Sequence, residues 1–253
     1  MTQEALLAAL APNPAGNLLW GKKWAVLGDS FSQGVTGTLL PAGPYAGRQL
    51  NYAYVIASRN NMEVVPFFRE SRCLACPADG TFHNSITDPA GDCFYQTVPG
   101  DCDYVTLCLG INDSHHEHGK RGDGENPTGV IPLGTPEDRT TATYCGAWNV
   151  VLDWLREHRP FAHLGILVTN GCDRPAYREA QLETARRHGI PWIDLNGDQF
   201  TPAMIRSQNP EISPEVKRRL LLNQAVDYPR NTHPNDEAQI FEASFIEAFL
   251  RRL

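Results

Sequence analysis

The sequence predicts one doubly wound α/β domain, in which a parallel sheet is covered by helices on both faces. Two observations lead to this prediction. Short apolar runs rich in β-branched residues alternate with longer amphipathic stretches along the chain, and this alternation is typical of a parallel sheet with crossover helices. The chain has 253 residues, of which 42% are hydrophobic and 20% are charged, so it can bury one large core.

Five apolar runs are predicted to form the strands of this sheet, and most are followed by a segment with helical spacing. In chain order, the predicted strands span residues 24–27, 63–67, 104–109, 164–169 and 191–193. The predicted helices span about residues 52–60, 141–158, 174–188 and 237–251. Two long irregular segments, 68–102 and 114–139, interrupt the alternation. Because both follow predicted strands, we expect them at the carboxyl edge of the sheet, where open α/β folds bind ligands.

The net charge and the lengths of the apolar stretches argue against nucleic acid and membranes as binding partners. The net charge of −7 argues against nucleic acid, because phosphate binding needs a basic surface. No stretch approaches the length of a membrane span. Residues 1–20 are predicted to form a short helix and a Pro/Gly linker, which leaves residues 21–253 as the domain. Glu4 stands where a signal peptide carries basic residues, so we expect a cytoplasmic protein, or one exported without a conventional signal peptide.

Three segments carry side chains that can do chemistry. Gly28-Asp29-Ser30 ends the first strand, where a serine is either a helix N-cap or a nucleophile. The third strand runs into Gly110-Ile111-Asn112-Asp113, in which Asn112 either forms an Asx turn or aims an N–H at a developing oxyanion. His233 lies in N-T-H-P-N-D just before the final helix, as either a surface residue or a base.

These three segments together resemble the motifs of the GDSL/SGNH hydrolase family. The family's block I G-D-S corresponds to residues 28–30, its block III G-x-N-D to residues 110–113, and its block V histidine to His233, in the family's order. The resemblance covers the chain from about residue 22 to its end. It implies a three-layer α/β/α sandwich with a mostly parallel, five-stranded sheet of the flavodoxin type, and ester hydrolysis through a serine acyl-enzyme.

The same resemblance implies the roles of the motif residues. Ser30 is the nucleophile, His233 is the general base, and the Ser30 N–H and the Asn112 side chain belong to the oxyanion hole. These roles agree with the chemistry, because serine is a weak nucleophile without a base and the tetrahedral oxyanion needs preorganised donors. Block II departs from the pattern, since Ser71 aligns with the family's glycine. We expect its backbone N–H to be a third donor, although serine lacks the conformational freedom of glycine.

The acid that orients His233 is a second departure. The family places an aspartate three residues before the histidine, and Arg230 occupies that position. A guanidinium cannot accept a hydrogen bond from an imidazole N–H. Asp227 is the predicted acid if the chain turns back after it, and the alternative is a dyad whose histidine is held by a backbone carbonyl. Asp236 is expected to be the N-cap of the last helix.

Two functions follow from these motifs. The first is a serine esterase that cleaves small acyl esters, with acetyl groups on a carbohydrate as the expected substrate. The second is a degenerate module that binds a glycan at a virion or other surface without cleaving it, which the changed blocks II and V favour. In the esterase, Asp29, His115 and His116 are expected to contact the substrate.

No metal or cofactor is predicted. The neighbouring histidines of the run H-H-E-H at 115–118 point in different directions on any regular element. Cys73 and Cys76 have zinc-ligand spacing, but no second C-x-x-C pair follows them. The seven cysteines are an odd number, which favours free thiols in a reducing compartment.

Overall fold

The structure is a computed structural model that describes residues 2–12, 14–76, 84–115, 131–168, 175–195, 225–227 and 231–253. For residues 225–227, 231 and 232 it describes the backbone. None of the described helices is long and apolar enough to cross a membrane.

A five-stranded, all-parallel sheet forms the centre of the domain. The strands are β1 (Lys23–Gly28), β2 (Glu63–Phe68), β3 (Tyr104–Cys108), β4 (His163–Val168) and β5 (Trp192–Asp194). Their order in the sheet is β2-β1-β3-β4-β5, and each neighbouring pair is parallel. In this order β2 lies on one side of β1, and β3, β4 and β5 lie on the other. The connections therefore change side between β1 and β3, and the carboxyl ends of these two strands are the expected ligand-binding edge.

Helices cover both faces of the sheet. The described helices are α1 (Gln3–Ala9), α2 (Ser30–Gln33), α3 (Tyr52–Asn60), α4 (Ile111–His115), α5 (Tyr144–His158), α6 (Pro175–His188) and α7 (Asp236–Leu250). Alternate residues of β1 enter two separate apolar clusters: Ala25 and Leu27 pack with α5 and α6, whereas Trp24 and Val26 pack with α1, α3 and α7. This alternation along a buried strand produces the three layers, so the predicted three-layer fold is confirmed.

The five predicted strands and four predicted helices are each present, with ends within about three residues of those expected. Two features differ from the sequence analysis. The short helices α2 and α4, which begin shortly after β1 and β3, were not among the predicted helices. A separate antiparallel hairpin pairs β6 (Ala225–Asp227) with β7 (Asn231–Pro234) outside the main sheet. Apart from a 3₁₀ turn at Tyr95–Thr97, the described part of segment 68–102 contains no helix, as expected of an irregular loop.

Candidate active site

The first strand delivers Ser30 to the carboxyl edge of the sheet. β1 ends at Gly28, and Ser30 is the first residue of α2. Position 28 requires glycine, because a Cβ there would lie 2.1 Å from Oγ of Ser32. Asp29 is the N-cap of α2, and its carboxylate accepts a hydrogen bond from the N–H of Phe31 at 2.9 Å. As the first helical residue, Ser30 has no intrahelical partner for its own N–H, so this group can bind an anionic oxygen.

His233 contacts Ser30 directly. Nε2 of His233 lies 2.7 Å from Oγ of Ser30, which is within the range required of a general base. The imidazole packs beside the ring of Phe31, with ring centroids 5.1 Å apart. Burial lowers the pKa of His233, and the charge of Glu70 partly offsets this effect. The neutral imidazole that can accept a proton therefore prevails at neutral pH.

The third strand brings Asn112 to the same edge, since β3 lies next to β1. Gly110 follows β3 with a φ of 135°, and a Cβ at this position would lie 2.3 Å from the hydroxyl of Tyr144, so only glycine fits. Asn112 lies in α4, and its Nδ2 donates to the carbonyl oxygen of Arg72 at 3.0 Å. An amide NH₂ has two hydrogens, so this bond fixes the amide while a second hydrogen can be offered to an oxyanion.

Block II follows β2 and places Ser71 next to the partner of Asn112. The chain turns sharply here, and the N–H of Arg72 donates to the carbonyl of Arg69 at 3.2 Å. Ser71 has a φ of 59°, in the left-handed region that normally favours glycine at the third position of a turn. Ser71 thus adopts a backbone conformation that is more usual for glycine. Its role as an oxyanion donor stays a prediction.

Asp113 ties block III to block II, a role that the sequence analysis did not find. Its carboxylate is fully buried and accepts hydrogen bonds of 2.9–3.1 Å from the N–H groups of Leu74 and Ala75. Burial raises the pKa of Asp113 to about 6, although these two N–H groups lower it. The aspartate of G-x-N-D was visible in the sequence, but nothing near it in the chain indicated its partners, which lie almost forty residues earlier.

The structure corrects the predicted role of Asp29. Its side chain is only 1% exposed, so it does not face the substrate. Oδ1 caps α2, whereas Oδ2 is buried and has no hydrogen-bond partner in the part of the chain that the structure describes. Burial raises the pKa of Asp29 to about 7; the Phe31 N–H lowers it and the nearby Asp113 raises it. Asp29 therefore supports Ser30 from inside the protein.

The predicted acid, Asp227, is the last residue of β6. Its backbone pairs with Asn231 of β7, two residues before His233. The hairpin thus folds the chain back as the prediction requires, but residues 228–230 and the side chain of Asp227 lie outside the described part of the structure. Its role as the triad acid stays a prediction.

Asp236 is not the N-cap of the last helix. That position belongs to Asn235, whose side chain accepts from the N–H of Ala238 at 3.0 Å. The Asp236 carboxylate instead accepts hydrogen bonds from the N–H and the Oγ1 of Thr38, at 3.0 and 2.7 Å. The prediction was therefore wrong by one residue, because the side chain of Asp236 is engaged by Thr38, which lies 198 residues earlier in the chain.

The structure describes one of the two histidines that were predicted to contact the substrate. His115 is the last residue of α4 and is half-buried, whereas His116 lies outside the described residues. Substrate contact by either stays a prediction. Cys73 is buried and Cys76 is half-buried.

The sequence matches the model of the GDSL-like lipase/acylhydrolase family over residues 26–239. The chain belongs to this family. The matched range begins within β1 and ends within α7, so it includes Ser30, Asn112 and His233. A comparison with curated protein sequences finds no match.

Solved structures share the fold of this family member at low sequence identity. A protein from Lactobacillus plantarum is 18% identical with a TM-score of 0.60, over 92% of this chain and 98% of its own. An acetyl xylan esterase from the rumen bacterium Butyrivibrio proteoclasticus is 14% identical with a TM-score of 0.51, over 92% and 64%. A family two carbohydrate esterase from Clostridium thermocellum, in complex with cellohexaose, is 15% identical with a TM-score of 0.53, over 96% and 66%.

Proposed function

We propose that the protein is a serine ester hydrolase that removes small acyl groups, acetyl above all, through an acyl-enzyme on Ser30. The observation that carries this proposal is the 2.7 Å contact between Oγ of Ser30 and Nε2 of His233. A serine hydroxyl becomes an effective nucleophile only when a positioned base takes its proton. The lowered pKa of His233 keeps the base free to do so at neutral pH.

Acylation follows from this geometry. Oγ of Ser30 attacks the ester carbonyl carbon while its proton passes to Nε2 of His233. The carbonyl oxygen becomes an oxyanion, which we propose is bound by the Ser30 N–H, the Ser71 N–H and Nδ2 of Asn112. The tetrahedral intermediate then collapses, and the alcohol leaves with the proton from the imidazolium. Donors already held in place cost no reorganisation when the charge develops, which is why they accelerate this step.

Deacylation repeats the sequence with water. Nε2 of His233 accepts a proton from the water as its oxygen attacks the acyl carbon, and the proton is then returned to Oγ of Ser30 as the carboxylic acid leaves. The imidazolium formed in each half-reaction is stabilised by an acid, for which we propose Asp227. A dyad without this acid is the alternative. No metal enters either step.

Acetylated carbohydrate is the proposed substrate class. Two proteins of the same fold are named as an acetyl xylan esterase and as a carbohydrate esterase bound to cellohexaose. The long segments 68–102 and 114–139 follow β2 and β3 in the chain; the first carries several Gly, Pro, Asp and Cys residues, and the second is polar and rich in glycine. Such loops offer hydrogen bonds to sugar hydroxyls more readily than a deep apolar pocket for a long acyl chain would.

The test compares two serines of the same short helix. Ser30→Ala should abolish hydrolysis of p-nitrophenyl acetate and labelling by a fluorophosphonate. Ser32→Ala is the matched control, because Oγ of Ser32 lies 2.7 Å from the hydroxyl of Tyr52 in the interior, and this variant should still be labelled. Equal activity in Ser30→Ala and wild type would show that the nucleophile is wrong. A wild-type protein that binds acetylated xylan oligosaccharides but neither cleaves esters nor reacts with the fluorophosphonate would be a glycan-binding module.

A further inference from the structure

The base of the proposed reaction is not positioned by the main sheet. His233 lies on β7, which pairs only with β6 in a separate two-stranded hairpin among the described strands. Ser30, in contrast, is fixed by the end of β1. Some other contact must therefore set the 2.7 Å distance between the two side chains.

Residues directly after the nucleophile supply that contact. We name residues 34–38, which follow α2, the strap. Oγ1 of Thr36 donates to the carbonyl oxygen of Pro234 at 2.9 Å, directly after His233 in the chain. Thr38 donates to the Asp236 carboxylate through both its N–H and its hydroxyl. The last residue of β7 and the first residue of α7 are thus both bonded to the segment that directly follows the nucleophile's own helix.

A buried glutamine makes the third connection. Gln239 of α7 is 1% exposed and uses both ends of its amide. Its Nε2 donates to the carbonyl oxygen of Phe31 in α2 at 3.0 Å, and its Oε1 accepts from the N–H of Tyr52 at 2.8 Å. Because α7 begins directly after block V, this amide links the helix behind the base to the helix that carries Ser30.

The strap is itself held in place. The N–H of Leu50 donates to the carbonyl of Thr38 at 2.8 Å, and Nε2 of Gln49 donates to the carbonyl of Val35 at 3.2 Å. A Cβ at Gly34 would lie 2.2 Å from the carbonyl oxygen of Leu50. These contacts hold the strap in place independently of block V. Thr36 and Thr38 are therefore fixed donors and do not simply adjust to the position of block V.

We infer that Thr36 and Gln239 are positioning residues that hold His233 in reach of Ser30. This inference rests on the proposed function, and it assigns the orientation of the base to neutral hydrogen bonds on its own backbone and helix. Neither residue touches the reacting atoms.

The variants are chosen to remove these bonds while keeping side-chain size. Thr36→Val deletes the donor to Pro234, and Thr36→Ser retains it. Gln239→Met deletes both amide bonds. The controls lose equivalent bonds elsewhere: Thr97→Val removes a hydroxyl that donates to the carbonyl of Phe94 at 2.7 Å, and Gln181→Met removes a buried amide of α6 that donates to the carbonyl of Leu167 at 3.5 Å.

The expected result is a loss confined to Thr36→Val and Gln239→Met. A neutral hydrogen bond that holds a productive geometry corresponds to about a three- to tenfold effect on turnover. Thr36→Val and Gln239→Met should therefore lower kcat for p-nitrophenyl acetate, and the rate of fluorophosphonate labelling, by about this factor with little change in KM. Thr36→Ser should restore kcat to within about twofold of wild type. The controls should lower the melting temperature but not kcat.

Either of two kinetic results would overturn the inference. The first is wild-type kcat in both Thr36→Val and Gln239→Met, and the second is an equal loss in the matched controls. A measurement that does not depend on turnover separates this failure from failure of the proposed function. In protein with ¹⁵N-labelled histidine, the Nε2 resonance of His233 should shift or broaden in Thr36→Val and stay unchanged in Thr97→Val. If it is unchanged in both, the strap does not position the base, whether or not the wild type is an esterase.

Discussion

The buried carboxyl of Asp29 makes the stability of this protein depend on pH in an unusual direction. Its side chain is 1% exposed, Oδ1 accepts one hydrogen bond from Phe31, and Oδ2 has none among the described residues. Its pKa is raised from 3.8 to about 7, with burial as the main cause. Between these two values the folded protein holds a proton that the unfolded chain releases. The contribution of Asp29 to stability is therefore fully present below about pH 4 and is lost as the pH rises to about 7.

The size of this effect follows from the shift. Each pH unit across that window lowers the free energy of unfolding by about 1.4 kcal/mol, so the full window corresponds to about 4 kcal/mol. Between pH 5 and pH 8 the expected loss is about 3 kcal/mol. Asp29→Asn keeps an oxygen for the Phe31 N–H but has no proton to lose, so this contribution should vanish. Asp113, whose pKa is raised to about 6, acts in the same direction in both proteins.

Urea unfolding at pH 5 and pH 8 measures the difference for wild type and Asp29→Asn. Asp138→Asn is the control, because hydrogen bonds from Thr135 and Thr143 lower the pKa of Asp138, and its linkage therefore lies below this pH range. The change between pH 5 and pH 8 should be smaller in Asp29→Asn than in wild type and unaltered in Asp138→Asn. An Asp29→Asn protein that loses as much stability as wild type would refute the assignment of Asp29 as a buried, proton-holding group.

Three further predictions concern the reaction. The acid limb of the pH profile of kcat/KM for p-nitrophenyl acetate should have its midpoint below about 6.5, the ordinary histidine value, because burial lowers the pKa of His233; a midpoint above 7 would contradict this. Asp227→Asn should cut kcat at least about a hundredfold, on the scale of losing a triad acid, whereas near-wild-type turnover would establish a dyad. Dialysis against EDTA should leave kcat unchanged, since the cysteine and histidine spacings fit zinc poorly; loss that added zinc reverses would show a required metal.

The sheet and its covering helices could be predicted because their signals are local. Each strand of the sheet is an apolar run next to a turn, and each long helix carries apolar residues at helical spacing. Ser30 and Asn112 were found for the same reason, since each directly follows a strand whose end lies at the ligand-binding edge. The β6–β7 hairpin was missed because its strands are only three and four residues long and resemble an ordinary loop.

The supports of the site could not be predicted, because each depends on partners far away in the chain. Asp29 was predicted to contact the substrate, and only its burial in the folded protein contradicts this. Asp113 bonds to Leu74 and Ala75 almost forty residues earlier, and Gln239 bonds to Phe31 over a separation of 208 residues. A single sequence offers no local signal for such pairs.

The separation of 203 residues between Ser30 and His233 has a consequence for folding. Joining two points this far apart in a flexible chain carries a loop-closure entropy of about 5 kcal/mol, so their contact depends on the sheet and α7 having already brought the two ends of the domain together. Helical content can recover while this contact is still absent. The return of ester hydrolysis during refolding would therefore report the completed tertiary structure, whereas circular dichroism would report only the return of helical content.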